Sequence, residues 1–239
     1  MGVIGGRNPG NAESMIFCVD AGNSKSYSGS GTTAYDVISG ATATLTNGPT
    51  YSSNDGGYFA FDGTNDYLQI GDTPLVDACT TDMTIEYIFY SDDYADHRKN
   101  IYNKRYRGTG TLTYETNGSM SFYMGGNNPM GYLNHASGGV FTSDNTWVHH
   151  LVTRDIGTHT KHYKNGELVV TRTGFTTTSV TPGVDISSGT ESHGDNIRIA
   201  RGYAGYFDGR VAYLRIYNSA FTEAEAKACF ASVRQRFGL

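Results

Sequence analysis

The chain has 239 residues, with 31 glycines and 18 tyrosines, and only 17% of its residues are charged. Its formal charge is −5 and no basic stripe is visible, which argues against nucleic acid as a partner. Ala, Leu, Glu and Lys are scarce outside the last twenty positions, which excludes a mainly helical protein and points to strands joined by tight turns in one large domain.

Residues 1–13, MGVIGGRNPGNAE, read as an arm ahead of a domain spanning 14–239. They lack a basic start and an apolar run of signal-peptide length, and nothing later approaches the roughly 18 apolar residues of a membrane span. Both features predict a protein made in a cytoplasm and not inserted in a membrane. The first apolar run is Met15 to Val19, followed by a long turn-rich stretch and a short strand in ATATLTNGP (41–49). YFAFDG (58–63) and DYLQIG (66–71) flank a turn-like segment. MTIEYIFY (83–90) alternates with period two, placing Met83, Ile85, Tyr87 and Phe89 on one face. Thr116-Asn117-Gly118 predicts a hairpin between TLTYE and SMSFYMGG, and Asn165-Gly166 predicts another between HTKHYK and ELVVTRT. TWVHHLVTR (146–154) is apolar on both faces, as a covered central strand should be. NIRIA (196–200) and DGRVAYLRIY (208–217) complete a set of about a dozen strands, which with short turns and no composition break argues for one all-β sandwich. A helix over 222–236 closes the chain. Thr222 and Glu225 form a capping box, acidic residues open the helix, Arg234 and Arg236 end it, and Gly238 stops it. Cys18, Cys79 and Cys229 are an odd set without CxxC spacing and read as reduced, buried thiols.

Four segments taken in order resemble the laminin-G-like, concanavalin A-like superfamily: FDGTNDYLQI (61–70), TWVHHLVTR (146–154), HYKNGELV (162–169) and YFDGRVAYLRIYNSAFTEAEAKACF (206–230). The resemblance implies a two-sheet antiparallel jelly-roll sandwich with one C-terminal helix. CVDAGNSKSYSGSGTTAYDVISG (18–40) and TLTNGPTYSSNDGGYFAFDGTNDYL (44–68) are further similar to laminin-G-like domains in structural proteins of tailed, often marine, bacteriophages, as is the closing Arg-Gln-Arg-Phe-Gly-Leu. The chain departs from those relatives at Ala34-Tyr35, where they carry a tryptophan, and at Val37-Ile38. This narrower likeness implies a virion structural protein: a capsid decoration, head fibre or tail component that packs against other virion proteins as a homo-oligomer.

The same fold class includes glucanases, which need two carboxylates about 5–5.5 Å apart when they retain configuration. Such a pair would lie at i and i+2 or i+4 on a strand. Glu86 has no acid at those offsets, Glu223 and Glu225 open the helix, and Asp92, Asp93 and Asp96 sit in a loop, so the sequence predicts no enzyme. Adjacent His149 and His150 must point to opposite faces of a strand and cannot share a metal; His159 and His162 likewise face opposite ways. Calcium is the one cofactor the residues suggest. Asp62, Asn65 and Asp66 gather oxygen donors within five residues, although the same residues also hydrogen-bond their own turns. Two stretches offer ligand-binding side chains. One carries Tyr94, Tyr102 and Tyr106 among mixed charges, and the other, GGNNPMGYLNHASGG (125–139), carries Asn127, Asn128, Tyr132 and Asn134. Exposed tyrosines and amides suit a host-surface glycan. A carbohydrate-binding adhesion module outside a virion is therefore the alternative.

Overall fold

The computed structural model describes residues 12–79, 81–105, 110–123, 132–133, 141–142, 144–173 and 196–239. Along these the strands are β1 (Met15–Asp20), β2 (Thr33–Tyr35), β3 (Thr42–Thr46), β4 (Thr50–Ser52), β5 (Tyr58–Asp62), β6 (Tyr67–Asp72), β7 (Met83–Ser91), β8 (Lys99–Arg105), β9 (Gly110–Tyr114), β10 (Met120–Tyr123), β11 (Tyr132–Leu133), β12 (Trp147–Asp155), β13 (His159–Lys164), β14 (Glu167–Arg172), β15 (Asn196–Ile199), β16 (Arg201–Gly202), β17 (Gly205–Tyr206) and β18 (Asp208–Tyr217). A single turn of helix, α1 (Pro74–Asp77), and the terminal helix α2 (Glu223–Val233) complete the described elements. The first eleven residues of the predicted arm lie outside the described residues, and Ala12–Ser14 form a 3₁₀ turn leading into β1.

Two antiparallel sheets pack face to face. The first runs β14-β13-β12-β7-β18-β5-β4, and the second runs β11-β10-β9-β8-β15-β6-β3-β2. Strand β18 is long enough to pair on one edge with two strands end to end: β5 along Asp208–Val211 and β1 along Tyr213–Tyr217. Its other edge pairs with β7 over nearly its whole length. Gly209 makes this possible. Its φ is +140°, and a Cβ there would lie 2.1 Å from the Tyr90 carbonyl oxygen. β5 and β6 do not pair; the turn at residues 63–65 instead carries the chain from the first sheet to the second.

The period-two reading of β7 is realised. Met83, Ile85, Tyr87 and Phe89 join the core between the sheets, with Leu68, Ile70, Tyr102, Leu112, Phe122, Ile197 and Ile199 from the opposite sheet. Burying this set is the main driving force of the fold, at about 1.5–3 kcal/mol for each large side chain. The other face of β7 is buried too, because α2 and the chain end lie over it. Ile88, Trp147, Tyr213, Val233 and Phe237 form one cluster there, and Leu151, Tyr163, Tyr217, Phe221, Ala226 and Cys229 a second. This third layer explains why β12 is apolar on both faces.

Both predicted hairpins form. Asn165 (φ 51°) and Gly166 (φ 79°) take the paired positive φ of a type I′ turn between β13 and β14, and Gly118 (φ 72°) closes β9 to β10. The capping box is present: Thr222 Oγ1 accepts from the Glu225 N–H at 3.3 Å, and the Thr222 N–H donates to Glu225 Oε2 at 2.7 Å. The helix ends earlier than predicted, at Val233, and Arg234–Arg236 form a 3₁₀ turn. Arg236 does not answer the helix dipole; it donates to Asp20 Oδ1 at 3.0 Å and to the Gly57 carbonyl at 2.9 Å, tying the chain end to β1. The three cysteines are buried and not joined in disulfides. Among the described residues no helix is long and apolar enough to cross a membrane.

Candidate ligand face on the second sheet

Helix α2 covers the outward face of the first sheet, so the outward face of the second is the large sheet surface opposite it. Register sets what that face carries. Thr44 pairs with Gln69, Gln69 with Arg198, Arg198 with Asn103, Asn103 with Thr111, and Thr111 with Tyr123. Directly opposed residues share a face, so these side chains form one polar row across six strands. Asn100, Thr113 and Ser121 make a second row. The centre of the face is buried, as at Asn103, Thr111 and Thr113, and the rim is partly exposed, as at Gln69 and Arg198.

A small hairpin, β16–β17, lies against this face. The chain leaves β15 at Ala200 in the left-handed region (φ 70°), and Arg201 pairs with Tyr206 across the turn Tyr203-Ala204. The approach is close: a Cβ on Gly202 would sit 2.6 Å from Asn100 Cγ. Polar contacts hold it there. Asn100 Oδ1 accepts from the Ala204 N–H at 2.7 Å, and the Tyr203 hydroxyl meets Thr113 Oγ1 at 3.1 Å. Arg98 donates to Glu115 through Nε at 2.6 Å and Nη2 at 3.2 Å, and to the Tyr203 hydroxyl at 3.0 Å. Ser121 donates to the same carboxylate at 2.7 Å. The hydrogen bond with Glu115 raises Arg98 further above the ordinary guanidinium value.

Aromatic rings and guanidinium groups interleave along the rim. Arg201 lies over both Tyr67 and Tyr206, its Cζ 4.7 and 5.0 Å from their ring centres, and Arg198 lies 5.5 Å from the centre of Tyr67. Arg98 sits over Tyr203 at 5.5 Å, and Tyr203 meets Tyr123 edge-on at 6.1 Å. Such a set offers flat apolar faces beside strong donors, which suits a polyhydroxylated ligand.

The residues singled out from the sequence fall elsewhere. Tyr102 points into the core and is fully buried, so the expectation that it presents a surface ring is corrected: its place in β8 is on the inward register with Leu112 and Ile199. Tyr94 is half-buried and stacks on Tyr114 at 6.3 Å, at the edge of the core. Tyr106, Asn127, Asn128 and Asn134 lie outside the described residues, as does the side chain of Tyr132, whose backbone forms β11. At the proposed calcium site, Asp62 Oδ1 accepts the backbone N–H groups of Thr64, Asn65 and Asp66 at 2.9, 3.1 and 3.3 Å. Burial acts against the Asp62 charge, but these bonds lower its carboxyl below the usual range, while burial and the Asp62 charge raise Asp66. The turn's own hydrogen bonds therefore engage Asp62 Oδ1. Among the described residues no group of three or more His, Cys, Asp or Glu is placed to hold a metal ion.

His149 and His150 do diverge. His149 meets Glu86 Oε1 at 3.2 Å beneath α2, whereas His150 faces the core, bonded to the Tyr87 hydroxyl and 3.0 Å from His162 Nδ1. Burial, then the Arg172 charge, pushes His162 down to about 3, and burial holds His150 well below the ordinary value, so both imidazoles are neutral. Sequence reading missed the hairpin and with it Tyr67, Tyr203, Tyr206 and Arg201. The available signal was Gly202-Tyr203-Ala204-Gly205, a glycine-bracketed turn between two strands.

Comparison with known proteins agrees with this architecture. A family model described as the concanavalin A-like lectin/glucanases superfamily matches residues 62–227. No curated protein sequence matches the chain. Among solved structures, the binding domain of botulinum neurotoxin serotype D/C superposes with a TM-score of 0.68 at 12% identity, over 92% of this chain and 52% of that one. A botulinum neurotoxin type C structure, whose entry into cells depends on interaction with two ganglioside molecules, gives 0.66 at 12% identity, over 92% and 51%. Trypanosoma rangeli sialidase in complex with sialic acid gives 0.61 at 13% identity, over 94% and 33%. The chain thus spans between a third and about half of the length of these structures, and at such identities the likeness is one of fold.

Proposed function

The chain belongs to the concanavalin A-like lectin/glucanase superfamily, and from that premise we propose that it is a non-catalytic glycan-binding domain that takes its ligand on the outward face of the second sheet. One observation carries this reading: Tyr67, Tyr203 and Tyr206 stand among amide, hydroxyl and guanidinium groups on the sheet face opposite the covering helix. Tyrosine faces stack on the C–H faces of sugar rings, and the accessible end of the polar row, at Thr44, Gln69 and Arg198, supplies hydroxyl partners. The carboxylates favour binding over hydrolysis. Glu115 is clamped by Arg98 and Ser121, and Glu86 is buried beneath α2, so neither is offered to a glycosidic bond as one of a pair. The ganglioside and sialic acid named for two fold neighbours are compatible with this reading.

The setting we infer is a bacteriophage particle, supported by the likeness of residues 18–40 and 44–68 to phage laminin-G-like domains. There the domain would dock on other virion proteins and on further copies of itself and adhere to a host-surface glycan. Binding is tested on a glycan array and a panel of immobilised polysaccharides, with and without calcium. The expected result is retention of the wild type and at least tenfold weaker retention of Tyr206→Ala. Absence of any ligand under both conditions refutes the binding role. Absence of the chain from purified particles, by mass spectrometry, refutes the virion setting.

A further inference from the structure

We propose that the ligand taken by this face is an anionic glycan, whose carboxylate or sulfate is received by Arg201; the inference rests on the glycan-binding reading. Four of this chain's described arginines are set against carboxylates. Arg98 is clamped by Glu115, Arg236 binds Asp20, Arg215 lies between Asp20 and Glu86, and Arg210 is 3.8 Å from Asp92. Arg201 differs. It is half-buried, and among the described residues no carboxylate lies within ion-pair reach and no hydrogen bond holds its guanidinium. Two rings hold it instead, Tyr67 and Tyr206, at 4.7 and 5.0 Å.

Contact with the ring faces fixes the guanidinium plane and leaves its N–H fork unspent. That fork matches a carboxylate or sulfate in bidentate geometry. The position is rigid for a loop residue, because the hairpin that carries Arg201 is pinned through Ala204 and Tyr203 to the sheet. In a chain of net charge −5, general attraction to polyanions is absent, so a polyanion is bound only where a local cation is presented. The half-buried Tyr206 also leaves apolar surface beside the cation, which a sugar ring can cover while its acidic group meets Arg201.

Affinity electrophoresis tests this with native gels containing polygalacturonate, dextran sulfate or neutral dextran. Wild type is expected to be retarded by one or both anionic polymers, distinguishing carboxylate from sulfate, and at least tenfold less by dextran. Arg201→Gln should lose about tenfold or more of the anionic affinity, and Arg201→Lys, which keeps the charge without the fork, should retain part of it. Arg234→Gln, on the exposed turn after α2, should bind as wild type. Melting temperatures establish that each variant is folded, and if Arg201→Gln is not, the Arg201→Lys series decides. Equal retardation by dextran and the polyanions, or unchanged anionic binding in Arg201→Gln, overturns the inference while leaving the glycan-binding reading in place. Failure in every gel and on the wider glycan panel removes both.

Discussion

Replacing Glu86 by Gln removes one negative charge from the layer between the first sheet and helix α2 and changes little else. The carboxylate accepts from the Tyr213 hydroxyl at 2.7 Å and the Tyr217 hydroxyl at 2.8 Å, meets His149 at 3.2 Å and lies 3.5 Å from Arg215. Burial opposes the charge, but Arg215, His149 and Tyr213 outweigh it and bring the carboxyl from 4.5 down to about 2. At about 1.4 kcal/mol for each tenfold change in proton affinity, that is roughly 3 kcal/mol holding the group ionised. Breaking a buried charge pair costs about 3–5 kcal/mol. Arg215 keeps Asp20 as a second partner at 3.5 Å, so the lower end applies, about 3 kcal/mol. Because the folded value lies below the unfolded one, this contribution is complete above pH 4.5 and is lost as pH falls towards 2. The assay is guanidinium chloride unfolding followed by the fluorescence of Trp147, the sole tryptophan, which packs 5.0 Å from Phe237 at the chain end. Glu86→Gln should be about 3 kcal/mol less stable at pH 7, and the difference from wild type should shrink between pH 4.5 and 2. A domain of ordinary stability, about 5–15 kcal/mol, still folds with that loss. A difference under about 1 kcal/mol at pH 7, or one that does not shrink in acid, refutes the anchoring role.

The neutral core histidines predict a second acid effect at higher pH. With His162 at about 3 against an ordinary 6.5, the unfolded chain takes up a proton that the folded one excludes, so stability falls as pH drops from 6.5 towards 3 by up to about 1.4 kcal/mol per pH unit for this residue. Urea midpoints at pH 7, 5 and 4 should show a shallower fall in His162→Gln, and an unchanged slope contradicts the assignment. Gly209→Ala should cost roughly 3 kcal/mol or more, since its Cβ meets the Tyr90 carbonyl oxygen. Gly40→Ala, also at positive φ (76°) but with nothing within 4 Å, should cost only about 1 kcal/mol. Similar losses at the two positions would mean that backbone strain, and not the close approach of β18 to β7, governs Gly209.

Much of the scaffold is legible in local pattern. The alternation along residues 83–90 places its inward side chains correctly because a strand's period of two is a backbone property. The Asn165-Gly166 turn and the Thr222–Glu225 box are equally local, since positive φ and a free N–H are satisfied within a few residues. The candidate ligand face was not legible. Tyr102 reads as a surface tyrosine in a polar run, yet the bulged pairing of β8 with β9 turns it into the core. Tyr67 and Arg201 are far apart in sequence and neither stands out alone; only the fold of the short hairpin back onto the sheet sets one over the other. Asp62 reads as a cation ligand by composition, and only the turn geometry shows its Oδ1 accepting three backbone N–H groups.

By itself, then, the order of amino acids determined about a dozen of the strands, two hairpins, the capped terminal helix and the superfamily, because each rests on contacts between near neighbours or on an ordered series of motifs. The tertiary structure alone decided which sheet face the helix covers, which tyrosines lie on the other sheet and that Arg201 is set between two rings. Those outcomes depend on strand register and on pairings across more than a hundred residues, where a shift of one residue would exchange the two faces.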